Sequence, residues 1–77
     1  MGMEDIKNFL KQEIEELSFE EVENDQLLIS SNILDSITIV ELSVAIEDEY
    51  SIKIPLNDLK VEQFDSINIM AEYIQSK

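Results

Sequence analysis

Cysteine and histidine are both absent from the 77 residues. Their absence excludes disulfide staples and the usual zinc sites. It also excludes Ser-His-Asp and Cys-His catalysis, since no imidazole or thiol exists to act as base or nucleophile, so a small hydrolase fails for want of a base. Positive charge is scarce: five basic residues stand against 18 acids, for a net charge of −13. That balance argues against binding nucleic acid and for basic protein partners met in fast, salt-sensitive encounters. No apolar run approaches the roughly 18 residues of a membrane span. No signal peptide is visible, and Ile6 stands where a myristoylation signal would need Ser or Thr, so the expected location is cytoplasmic. The length suits one domain, 1–77, at the small end for independent folding, with about 3–75 ordered and Met1 and Gly2 ahead of it.

What is present is helical. Met3, Ile6, Phe9, Leu10, Ile14 and Leu17 fall on one face of a first helix over Met3 to about Leu17. Ser18-Phe19-Glu20-Glu21 matches a capping box and predicts a short further helical turn. From about Phe19 to Asp35 no period persists, yet Val22, Leu27, Leu28, Ile29, Ile33 and Leu34 imply a connection packed across the bundle. Asn24-Asp25 and Ser30-Ser31-Asn32 supply turns. The acids Glu20, Glu21, Glu23 and Asp25 lack the spacing of a calcium loop and read as a solvated face; no metal site is expected.

The rest of the chain is organised around residues 33–50. Asp35-Ser36 suits a helix start, because short oxygen-bearing side chains accept from the first, otherwise unpaired, amides. At about 100° per residue, Ile39, Leu42, Ile46 and Tyr50 form one apolar stripe, while Ile37, Val40 and Val44 form a second. Glu41 and Asp48 border the second stripe on one side and Glu47 on the other. A helix in a small bundle needs one buried stripe, so the second, rimmed by acids, reads as a surface for partners. After it, Ile54-Pro55 breaks the helix, since the residue before proline avoids helical angles. A short turn is expected over Leu56 to Lys60 with Asn57 as its cap, then a last helix over about Ser66 to Gln75 with Ile67, Met70, Ala71 and Ile74 inward. The fold class is all-α: a small antiparallel three-to-four-helix bundle with a long first loop.

Asp35-Ser36-Ile37, then Val40-Glu41-Leu42 and Glu47-Asp48-Glu49-Tyr50, with Ile52-Lys53-Ile54-Pro55 behind them, resembles the acyl carrier protein family along essentially the whole chain. One departure is Ile33, where the family often has glycine two residues before the aspartate. The resemblance implies that Ser36, presented beside Asp35, receives a covalent 4'-phosphopantetheine from coenzyme A through a phosphopantetheinyl transferase. The phosphodiester would then sit at a helix N-terminus, where exposed amides and the dipole favour an anion. The arm supplies the thiol that the sequence lacks, cargo rides on it as a thioester, and the chain itself is no enzyme. Ile37, Val40, Glu41, Val44, Glu47 and Asp48 would meet the transferase and the acyl-loading or acyl-using enzymes through their basic patches. A monomeric, free-standing carrier of fatty-acid, polyketide or related biosynthesis is the leading reading, and an aminoacyl, peptidyl or D-alanyl carrier is the alternative.

The same triplet recurs at Asp65-Ser66-Ile67. Helix-start chemistry accounts for both copies. Only the first opens a helix with a second apolar stripe and many acids, so Ser66 reads as structural and Ser36 as the modified residue. The rival from another class is an unmodified acidic helical adaptor, in which Ser36 merely caps.

Overall fold

The computed structural model describes residues 2–77, and Met1, expected ahead of the domain, lies outside them. Helix α1 spans Met3–Ser18 and α2 spans Ser36–Tyr50. A 3-10 turn at Leu56–Asp58 leads to α3 at Val61–Phe64 and α4 at Ile67–Gln75. The described residues contain no strand.

Helices α1, α2 and α4 each bury the stripe their spacing predicts. Ile6, Leu10 and Ile14 of α1 meet Ile39, Leu42 and Ile46 of α2 and Ile67, Met70, Ala71 and Ile74 of α4 in one core. Phe9 packs edge-on to Tyr50, ring centroids 5.4 Å apart, and fastens the middle of α1 to the last turn of α2. The long connection contributes Val22, Leu28 and Leu34 to the same core, as its composition implied. Leu27 is the exception and stays in solvent. The loop is tied down at its first bend, where the Val22 amide donates to Glu15 Oε2 at 3.2 Å and the Lys11 ammonium donates to the Val22 carbonyl. Its turns fall at Asn24-Asp25 and around Ser30 to Asn32, and Asn32 takes the left-handed φ of 65° that asparagine tolerates.

Two local expectations fail. Ser18 opens no new helical turn. Its hydroxyl donates to the Ile14 carbonyl at 2.7 Å, and Phe19 enters the left-handed region to close α1, donating its amide to Glu15 at 2.9 Å. A serine hydrogen-bonded back into the old helix is not placed to start another. Asn57 is no cap either: it lies inside the 3-10 turn, which Pro55 precedes. Helix α3 has only four residues, too few for a period to show, yet it delivers the fully buried Phe64 beneath Tyr73.

Among the described residues the one ion pair is Lys11–Glu15 at 3.3 Å, which engages one of the 18 acids and leaves the net charge of −13 in place. Self-repulsion of this kind is screened by salt. Raising ionic strength from low to physiological, or adding millimolar magnesium, should lift the melting temperature, by about 4–8 °C for each ~1 kcal/mol of repulsion relieved. A melting temperature indifferent to salt over that range would contradict the account.

Candidate functional site

The two Asp-Ser-Ile triplets turn out to divide their labour differently. In the first, Asp35 is the cap of α2: its carboxylate Oδ1 accepts the Thr38 amide at 2.8 Å, and its carbonyl accepts the Ile39 amide at 2.9 Å. The Thr38 amide holds the Asp35 carboxyl below the usual carboxylate range. Because Asp35 does the capping, Ser36 becomes the first residue of the helix proper, and it is exposed. Its hydroxyl therefore stands in solvent at the positive end of a 15-residue helix, with no capping duty.

In the second triplet the roles move one residue along. Ser66 is the cap of α4, accepting the Ile69 amide at 3.2 Å, and it is buried. Asp65, also buried, reaches back to the first loop. Its Oδ1 accepts the amides of Leu28, Ile29 and Ser30 at 3.1, 2.8 and 3.0 Å, and its Oδ2 accepts the Ser30 hydroxyl at 2.7 Å. Burial alone would push this carboxyl up, but the Ser30 hydroxyl and the three amides outweigh it and bring it below its ordinary value. Ser66 is thus a buried cap beneath a structural knot. The knot itself was not foreseen; the only sequence signal was the repeated triplet.

The outward stripe of α2 is where the spacing put it. Ile37, Val40 and Val44 are all exposed, whereas Leu42 and Ile46 are wholly buried. Glu41 and Asp48 are exposed beside the stripe. Glu47 differs: half-buried, its Oε2 accepts the Ile54 amide at 2.6 Å and pins the segment after α2 to the helix. Its carboxylate therefore has a structural task in addition to any part in docking. Buried Ser43, which the pattern left unassigned, donates to the Val40 carbonyl at 2.7 Å within α2.

This arrangement offers one accessible hydroxyl at a helix N-terminus, next to an apolar stripe edged by acids. No described group of three or more acidic side chains could hold a metal ion, and no described helix is long and apolar enough to cross a membrane. The site can accept a phosphoryl-linked group by ester formation, provided another protein brings the base and the metal. The exposed hydroxyl and the anion-favouring helix end fit a phosphodiester.

Comparison with known proteins agrees with this chemistry. A family model described as a phosphopantetheine attachment site matches residues 12–74. The D-alanyl carrier protein of Streptococcus sanguinis (strain SK36) is 33% identical over 70 residues, covering 88% of this chain and 89% of that protein. The matched span contains both triplets.

Proposed function

The chain belongs to the phosphopantetheine-attachment family of carrier proteins, and from that premise we propose that it carries an activated acyl group as a thioester on an arm joined to Ser36. The family's group is a covalent 4'-phosphopantetheine. When bound, it supplies the terminal thiol on which cargo is held. The observation that carries the assignment is the exposed, uncommitted hydroxyl of Ser36, set against the buried capping hydroxyl of Ser66.

Attachment requires Ser36 Oγ to bond to the phosphorus bearing the pantetheine half of coenzyme A. The pyrophosphate bond breaks, adenosine bisphosphate leaves, and the hydroxyl proton passes to a base on the transferase. This chain contributes the position of the hydroxyl. Asp35 fixes the first turn through the Thr38 amide, so Ser36 is presented on an ordered helix rather than a wandering loop. Ile37, Val40 and Val44 supply apolar contact for the transferase and the enzymes that load or use the cargo, while Glu41 and Asp48 steer them. The carrier catalyses nothing itself, acts as one domain and works in the cytoplasm.

Two cargoes remain in view. A fatty or polyketide acyl group suits the small, strongly acidic chain. The D-alanyl carrier relative favours an aminoacyl cargo, D-alanine first. Incubating the modified protein with ATP, labelled D-alanine and a D-alanine-activating ligase, beside a parallel arm with malonyl-coenzyme A and its transferase, separates the two by which label becomes thioester-bound.

The attachment is tested by intact mass. With coenzyme A, magnesium and a promiscuous transferase the protein should gain one phosphopantetheine. Ser36→Ala should abolish the gain. Ser66→Ala should retain it, although loss of the cap should cost about 1 kcal/mol of stability. A gain that survives Ser36→Ala and vanishes with Ser66→Ala would reverse the assignment, and no gain at all would leave the adaptor reading standing.

A further inference from the structure

Phe19 is 92% exposed and holds a φ of 59°. A bulky residue in the left-handed region is strained, and glycine takes the same place at helix ends without that strain. The capping task falls to the Phe19 amide, which donates to the Glu15 carbonyl at 2.9 Å and would do so from almost any residue. Neither the core nor the cap uses the phenyl ring.

The ring stands at an informative place. Ile6 of α1, Tyr50 of α2 and Ile74 of α4 line one cavity of about 220 Å³. The first turn of α1 thus meets the last turns of α2 and α4, so α1 runs opposite to both. The C-terminal end of α1, with Phe19, therefore points toward the end of the bundle where α2 begins at Ser36. Glu20, Glu21, Glu23 and Asp25 follow Phe19 and are all exposed. An isolated aromatic side chain among acids is complementary to an apolar notch rimmed by lysine or arginine.

We infer that Phe19 is a docking anchor for the phosphopantetheinyl transferase, outside the apolar stripe of α2. The inference rests on Ser36 as the attachment point. A loading enzyme meets its cargo at the far end of a flexible arm, so docking on the outward stripe of α2 is enough for it and it need not cover the end of the bundle. The transferase must bring its reacting phosphorus to Ser36 Oγ itself, so it is the partner that has to cover this end. Self-association is disfavoured by the −13 charge on every copy.

The test is steady-state modification of the full chain with coenzyme A, magnesium and the transferase of the same organism, beside thermal melts and light scattering. Phe19→Gly should lower kcat/KM about tenfold, through KM, as loss of an aromatic anchor does. Phe19→Tyr should restore most of it. The melting temperature of Phe19→Gly should equal or exceed that of the parent, because strain is removed and no packing is lost. Modification of Phe19→Gly at the parental rate overturns the inference. So does a clear fall in its melting temperature, which would make the ring structural, or a parental dimer that Phe19→Gly dissociates. Ser36→Ala runs in parallel: if it is still modified, the attachment reading fails, whereas if it is inert and Phe19→Gly is unimpaired, only the anchor fails.

Discussion

Truncating Leu42 to alanine should remove about 2–5 kcal/mol of stability, since the side chain is wholly enclosed and its loss leaves a cavity among packed neighbours. Small domains lie near the low end of a total stability of roughly 5–15 kcal/mol, so the variant should be largely unfolded at moderate temperature. Ile46→Ala should behave alike. Val40→Ala, two residues away on the same helix, should melt close to the parent, because Val40 is 41% exposed and has water on its outer side. Its effect should appear in the rate of modification and of cargo loading, where the outward stripe would make contact. Glu41→Lys should slow the same encounters most at low salt, where attraction is least screened. Glu47→Lys is a poor test of steering, because it also removes the acceptor of the Ile54 amide. A melt and a modification time course for Val40→Ala beside Leu42→Ala decide the matter. If Val40→Ala unfolds the protein and Leu42→Ala spares it, the faces are reversed.

The faces of α1, α2 and α4 were legible because their apolar spacing is dense and each helix spans more than two turns, so a period of about 3.6 residues can express itself. Ile6, Leu42 and Met70 are buried as that period requires. The loop between α1 and α2 was legible only as apolar content. Val22 and Leu28 go in while Leu27 goes out, a choice made by hydrogen bonds to Glu15 and Asp65, which are close in space and, for Asp65, far in sequence. Local motifs misled where a side chain had a nearer partner. Ser18 fits a capping box, but the Ile14 carbonyl takes its hydroxyl. The second stripe and acids of its helix, together with the family resemblance, single out Ser36 in the sequence, but that Asp35 caps the helix and leaves the Ser36 hydroxyl uncommitted needed coordinates. The double duty of Glu47 was invisible for the same reason: its partner is a backbone amide, which no residue type announces.

Asp65 should be as important to the fold as any core side chain. Asp65→Ala takes the carboxylate from the amides of Ile29 and Ser30 and from the Ser30 hydroxyl; the Leu28 amide keeps the Asp65 carbonyl, 2.7 Å away. Unpaired buried donors cost about 1–3 kcal/mol each, and partial access of water should hold the total to about 2–4 kcal/mol. Asp65→Asn keeps an acceptor oxygen and should cost less. The two variants also differ from the parent in acid. The Asp65 carboxyl lies below its ordinary value, which in an unfolded chain is about 3.9. A carboxyl depressed by folding contributes stability that is present above about pH 4 and is lost as pH falls through the folded value. Relief of overall repulsion acts in the opposite sense over the same range, so the parent curve alone is ambiguous. The difference between parent and Asp65→Asn isolates the knot: the gap in unfolding free energy should be widest near neutral pH and should narrow below about pH 4. Denaturant melts of both proteins from pH 7 to pH 2 measure it. A gap that stays constant across that range would mean that the charge of Asp65 does not hold the first loop to the start of α4.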